Sequence, residues 1–111
     1  MLTPSALNQD PSRFDGREVV AVGWLSYDFE VRGLWDDNPD NAPPTPKGLR
    51  FNPYCVTPFI PERLRRTATR LRKQKVVVRA RFRADFSEDY MAIAFCNLSA
   101  LEVRSITKAR E

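Results

Sequence analysis

The chain contains no histidine, only four glycines and no long apolar run. Without imidazole it lacks the usual general base and the commonest metal ligand. Its glycines are too few for a Walker loop or a dinucleotide fingerprint. No stretch approaches the roughly 20 apolar residues of a membrane helix, and the first ten residues lack the regions of a secretory signal. We therefore expect a cytoplasmic, non-enzymatic protein without metal, cofactor or membrane partner.

Size and charge also restrict the function. At 111 residues and 42% hydrophobic content the chain predicts one domain over residues 1–111, with a core of about 10–105. Residues 1–48 hold four basic and eight acidic groups, whereas residues 49–111 hold fourteen and six. Arginine outnumbers lysine fourteen to four, which favours two-pronged contacts with phosphate or carboxylate, although high genomic GC content gives the same bias.

Strand-like segments dominate the first half. Residues 18–27 are rich in β-branched and aromatic types on both parities, which predicts a strand covered on both faces. Gly23 either bends this strand or is merely tolerated in it. A short strand centred on Leu34 and Trp35 follows. The proline-rich residues 36–48 predict a long irregular loop without the pattern of a calcium-binding loop.

The second half predicts strand, helix, strand and strand. Residues 49–56 suit a strand, and an apolar stripe along residues 61–73 indicates a helix that Thr57 caps. Residues 75–86 alternate between apolar and mostly basic side chains, which predicts one core face and one solvent face. A last strand is expected over residues 90–103, and residues 107–111 are expected to fray.

This order of elements, with a glycine in a long first strand, resembles the OB-fold, a five-stranded Greek-key barrel. The stretch from Phe14 to Leu25, followed by Phe29–Glu30 and Leu34–Trp35, is also similar to small bacterial OB-like domains of unknown function. The resemblance implies a mainly β barrel with one α-helix between strands 3 and 4. Its motifs are structural and carry over no catalytic residue. A small α+β domain with a meander sheet is the alternative.

Basic residues form the first candidate site. Ten of the eighteen lie from Arg63 to Arg83, and no acidic residue interrupts them. Alternate arginines on the fourth strand are about 6.6 Å apart, a spacing that can follow the phosphates of an extended single strand. The competing interpretation is a solvated helix beside a strand edge guarded by charge. The candidate nucleic-acid contacts are Arg63, Arg65, Arg66, Arg70, Arg79, Arg81 and Arg83.

Aromatic residues form the second candidate site. Trp35 and Tyr54, with Phe51 and the neighbouring Arg50, fall on the second and third strands. OB proteins that bind single-stranded nucleic acid place stacking side chains there. Aromatic residues in short strands also commonly belong to the core. We expect three others to be interior: Trp24, Tyr27 and Phe82.

The loops that frame an OB cleft oppose a simple nucleic-acid site, because both carry carboxylates that repel phosphate. Asp28 and Glu30 lie after the first strand, and Asp85, Glu88 and Asp89 lie before the last. The alternative function is therefore a protein-interaction module, which includes a homodimer. The only cysteines, Cys55 and Cys96, come from neighbouring strands of such a barrel, but cytoplasmic thiols normally stay reduced.

Overall fold

The computed structural model describes residues 1–28, 32–41, 52–86 and 96–110. The strands are β1 (Glu18–Tyr27), β2 (Arg32–Trp35), β3 (Cys55–Phe59), β4 (Lys75–Arg83) and β5 (Ala100–Lys108). The helices are α1 (Pro4–Gln9), α2 (Pro11–Phe14) and α3 (Arg65–Leu71). The strands close into a barrel in the order β1, β2, β3, β5, β4, and only the β3–β5 pair is parallel among the described strands. The predicted mainly β, five-stranded barrel with a helix between strands 3 and 4 is confirmed.

The barrel interior follows the alternation of the strands. On β4 the apolar residues Val76, Val78, Ala80 and Phe82 are buried, as the sequence pattern predicts. The prediction that β1 is covered on both faces is wrong. Along most of the strand buried residues alternate with half-buried ones, so only the inner face is fully covered. The backbone of Leu2 pairs in parallel with the edge of β1 at Ala21, where its N–H donates to the Val20 carbonyl and its carbonyl accepts from the Val22 N–H.

Gly23 lies where β1 changes partners. Residues 18–24 of β1 pair with β4, and residues 24–27 pair with β2. A Cβ atom at Gly23 would lie 2.5 Å from the carbonyl oxygen of Trp35 and 2.9 Å from Cγ of Leu34. The backbone of β2 therefore approaches β1 more closely than any side chain at this position allows.

The third strand lies later in the chain than the sequence predicts. β3 continues through Pro58, and Thr57 is buried within it instead of capping the helix. The Thr57 N–H donates to the Ser99 carbonyl, so the Pro58 nitrogen faces the opposite side of the strand. The pairing of β3 with β2 ends at Val56. No described strand therefore lies where it would accept a hydrogen bond from residue 58, and a proline, which has no N–H, is tolerated there.

The helical segments also differ from the prediction in their bounds. α3 is preceded by a 3-10 turn over Glu62–Leu64, and it buries Ala68 and Leu71 as predicted. α2 is a single helical turn, and the left-handed Gly16 (φ 76°) follows it just before β1. α1 was not predicted; its signals are a Thr3 side chain that accepts from the Ala6 N–H and a proline in the first turn.

The last strand is displaced towards the C-terminus. β5 extends to Lys108, so Thr107 and Lys108 are paired with β4 instead of frayed. Arg104 is an extra residue in β5, since Ala80 is opposite Val103 and Arg79 is opposite Ser105. This bulge changes the parity of the buried positions and hides the strand from a simple alternation test. The predicted strand over residues 90–95 falls outside the described residues.

Cys55 and Cys96 form a disulfide, which corrects the expectation of reduced thiols. Their Cα atoms are 6.2 Å apart, within the usual range for a disulfide. Polar side chains fix the same region, because the Thr57 hydroxyl accepts from the N–H groups of Cys96 and Asn97, each at 3.3 Å. The Asn8 amide group of α1 donates to the Cys55 carbonyl at 2.8 Å.

Removing the disulfide should destabilise the protein. The bond closes a loop with a sequence separation of 41 residues, so the loop-entropy model gives about 3–4 kcal/mol for its loss. We expect the C55A/C96A variant to lose this much free energy of unfolding in urea titrations. Two free thiols detected by alkylation of the unfolded, unreduced protein would contradict the pairing.

Gly23→Ala should destabilise the barrel by about 1–3 kcal/mol, because the added methyl group meets a backbone carbonyl that cannot rotate away. Thermal and urea unfolding measure the change. Ser12→Ala, at an exposed position in α2, is the control and should change stability by less than about 0.5 kcal/mol. Equal stabilities of the two variants would show that the close approach at Gly23 is unimportant.

Candidate anion-binding surface

The predicted arginines of β4 lie on the outer face of the barrel, and one of them, Arg81, has an acidic residue on each side. Arg81 is opposite Glu18 on β1 and opposite Glu102 on β5. Its Nε atom lies 4.0 Å from a Glu102 carboxylate oxygen. Arg79 is exposed, whereas Arg83 is only partly exposed. The outer face of β4 is therefore partly neutralised around Arg81.

Two further arginines are engaged with the protein itself. Arg104, which was not predicted as a site residue, donates from Nε to a Glu18 carboxylate oxygen at 2.6 Å. Arg63 donates from Nη2 to the Arg104 carbonyl at 2.7 Å. One guanidinium group of the predicted arginine track, that of Arg63, is therefore already hydrogen-bonded to the protein backbone. Glu18 lies opposite another arginine of the track, Arg81.

The arginines of α3 form a separate group. Arg65, Arg66 and Arg70 are exposed, because Ala68 and Leu71 turn the opposite side of the helix towards the barrel. The helix ends just before β4 begins at Lys75, while Arg83 lies eight residues further along that strand. That separation is about 26 Å at 3.3 Å per residue. The predicted basic residues therefore do not converge on one point.

The predicted stacking residues are partly buried. The Trp35 indole N–H donates to the Ser26 hydroxyl at 2.9 Å. The indole ring lies against Gly33, where a Cβ atom would be 2.6 Å from the indole nitrogen. Tyr54 is half-buried and its carbonyl accepts from the Asp36 N–H. Arg50 and Phe51 lie outside the described residues.

A different group of side chains surrounds a surface groove of about 1250 Å³. Trp24 on β1 is in register with Lys75 on β4, and the next residue of β4, Val76, is opposite Lys108 on β5. The Ala109 N–H donates to the Lys75 carbonyl and extends the pairing by one residue. We call this the Trp24 groove, and its lining residues are Trp24, Lys73, Gln74, Lys75, Lys108, Ala109 and Arg110.

Charge in the Trp24 groove is of one sign. Its lining holds four cationic side chains and no carboxylate among the described residues. Within the same part of the chain none of the four has an ion-pair partner. Neighbouring cations without counter-charges raise the local concentration of anions. The groove therefore has the electrostatics that the predicted arginine track has only in part.

Lys73 enters the groove through an unusual turn. It has a φ of 60°, in the left-handed region that non-glycine residues rarely adopt. Two backbone hydrogen bonds with Leu25 hold the turn, since Lys73 N–H donates to the Leu25 carbonyl at 2.7 Å and Leu25 N–H donates to the Gln74 carbonyl at 3.0 Å. The junction of α3 and β4 is thereby fixed against β1, beside Trp24.

Sequence reasoning missed this groove for two reasons. Trp24 and Tyr27 were expected to be interior, but both are partly exposed and only Phe82 is buried. The parity of β1 contained the signal, since Leu25 faces inward and its neighbour Trp24 must face outward. The sequence predicts a frayed terminus from residue 107 onwards, whereas Lys108 pairs with Val76 of β4.

Only two of the five carboxylates expected to frame an OB cleft lie within the described residues. Asp28 and Asp85 are exposed, whereas Glu30, Glu88 and Asp89 lie outside the described residues. Within the described ranges no three His, Cys, Asp or Glu side chains are grouped to hold a metal ion. Among those same residues, no helix is both long and apolar enough to cross a membrane.

Comparison of the chain with protein-family models, with curated proteins and with solved structures finds no match. The residues of the groove are therefore the basis for any assignment of function.

Iodide should quench Trp24 efficiently, because the cations of the groove attract the anion. In a W35F background, which leaves Trp24 as the only tryptophan, we expect stronger quenching by iodide than by caesium. The additional changes K75Q and K108Q should reduce the iodide effect and leave quenching by neutral acrylamide nearly unchanged. Equal quenching by the two ions would contradict the electrostatics described here.

Proposed function

We propose that the protein binds single-stranded nucleic acid through the Trp24 groove. The single observation that carries this proposal is a partly exposed indole in a groove lined by four cations, none of which has an ion-pair partner among the described residues. Nucleic-acid backbones bind by displacing counterions from phosphates. Unpaired bases bind by stacking on aromatic rings, which contributes about 1–3 kcal/mol per base. The groove offers both kinds of contact within one surface.

Single strands suit this arrangement better than duplexes. A base reaches an indole face only when it is free of its own stacking neighbours, whereas a duplex presents mainly its phosphates. The outer face of β4 continues from Lys75 to Arg79, about 13 Å away, and Arg79 has no ion-pair partner among the described residues. An extended strand that leaves the groove can follow this direction before it meets Glu18 and Glu102.

The proposed role differs from the sequence prediction in its residues. The proposed class of protein is the one that the sequence predicts, a non-enzymatic module that binds single-stranded nucleic acid. The residues that make the main contacts differ, since they are now lysines and Trp24. Arg79 and the exposed arginines of α3 provide additional charge around the groove. Arg63 contributes less in this proposal, because its guanidinium group is bound to a backbone carbonyl.

Fluorescence anisotropy with a labelled twelve-nucleotide oligouridine tests the proposal. If the four cations of the groove neutralise four phosphates, log Kd against log salt should rise with a slope of roughly 3, since each contact on a single strand adds about 0.7. K75Q/K108Q should lower the slope to about 1.4. Trp24→Ala should weaken binding by roughly fivefold or more.

The matched control is R13Q/R17Q, which removes the same charge. The Phe82 N–H donates to the Arg17 carbonyl, so this pair lies about 23 Å along β4 from Lys75. We expect this control to keep most of the wild-type slope. No binding at low salt, or equal losses from the two double variants, would refute the assignment; binding that does not depend on Trp24 would indicate a general polyanion surface.

A further inference from the structure

A second cavity, of about 540 Å³, adjoins the Trp24 groove and shares Trp24 and Lys73 with it. Its volume is within the roughly 300–1,000 Å³ of small-molecule sites. Unlike the groove, it combines aromatic walls with groups of both charges. The residues used below are Trp24, Tyr27, Asn38, Asp40, Arg72 and Lys73.

The aromatic wall comes from β1. Trp24 and Tyr27 both line the cavity, and both are partly exposed. The Arg32 guanidinium lies 4.9 Å from the centre of the Tyr27 ring, which fixes that ring from one side. The Trp24 and Tyr27 side chains therefore offer apolar surface to a planar heterocycle in this cavity.

The polar wall comes from the turn after β2. The Asn38 side-chain oxygen accepts from the Asp40 N–H at 3.0 Å, and the Asn38 backbone carbonyl accepts from the Asn41 N–H at 2.9 Å. Since its oxygen is engaged, the Asn38 amide presents its NH₂ group as a donor. No described residue bonds to the Asp40 carboxylate, which is exposed and accepts only.

We infer that this cavity receives one base of the bound strand and prefers guanine. The inference rests on the proposed function, because the phosphates next to that base would lie in the Trp24 groove. Guanine presents two adjacent donors, N1–H and N2–H₂, which match the two oxygens of a carboxylate such as Asp40. Its neighbouring O6 is an acceptor for the Asn38 amide or the Lys73 ammonium group.

The other bases match this wall less well. Uracil and thymine have a single ring N–H that lies between two carbonyl oxygens. A carboxylate that accepts a hydrogen bond from this N–H is repelled by both oxygens, because all of these oxygen atoms carry negative charge. Adenine and cytosine place a ring acceptor beside their one amino donor. The negative charge of Asp40 also repels phosphates generally, since it lies close to the groove. The carboxylate thus weakens non-specific binding and strengthens binding of guanine.

The test compares three eight-nucleotide RNAs: U8, the same strand with one central guanosine, and the same strand with inosine, which lacks the N2 amino group. Anisotropy titrations at one salt concentration should show roughly tenfold tighter binding of the guanosine strand than of U8. Inosine should fall between the two. Asp40→Asn should bring the three affinities together and raise the affinity for U8.

The control is Asp10→Asn, which removes one exposed carboxylate at the start of α2 and should preserve the guanosine preference. If U8 binds with the expected salt dependence but all three strands bind equally to the wild type, the base preference is wrong and the proposed function stands. If no strand binds, both are wrong. A preference that survives Asp40→Asn would overturn the role of Asp40.

Discussion

At Gly23 the backbones of β1 and β2 lie closer together than any side chain would allow. Because no side chain separates β1 from the Trp35 carbonyl, β1 can leave β4 and join β2 within a single residue, Trp24. That exchange closes the barrel on this side. It also places Trp24 on the outer face at the point where β4 begins, so the aromatic residue of the groove is positioned by the same contact.

Charge on the barrel is organised by register more than by composition. Towards the end of β4 the outward Arg81 is opposite Glu18 and Glu102 on the neighbouring strands, which partly neutralises it. At the start of β4 the neighbours of Lys75 are Trp24 and the last residues of β5. The lysines there have no ion-pair partner among the described residues. Their charge is therefore not neutralised and favours the binding of an anion, although the lysines are few.

The disulfide and its polar surroundings hold the segment before β5 against β3. Cys55, Thr57 and Asn97 bind one another through side chains and backbone, and Asn8 joins α1 to the same group. Polar groups at this depth are stable because each has a hydrogen-bond partner. A disulfide persists mainly in oxidising surroundings, so this pairing contradicts the expectation of reduced thiols, which followed from the expected cytoplasmic location.

The sequence alone predicted most of the elements and, through the resemblance of their order to the OB-fold, implied a barrel, because periodicity in β4, the branched residues of β1 and the apolar stripe of α3 are local signals that survive without tertiary context. It could not place β5, since the bulge at Arg104 breaks the alternation, nor β3, whose Pro58 is tolerated only because its nitrogen faces no described strand. The site itself forms only in the folded barrel. Trp24, Lys75 and Lys108 are far apart along the chain, and strand register alone brings them together.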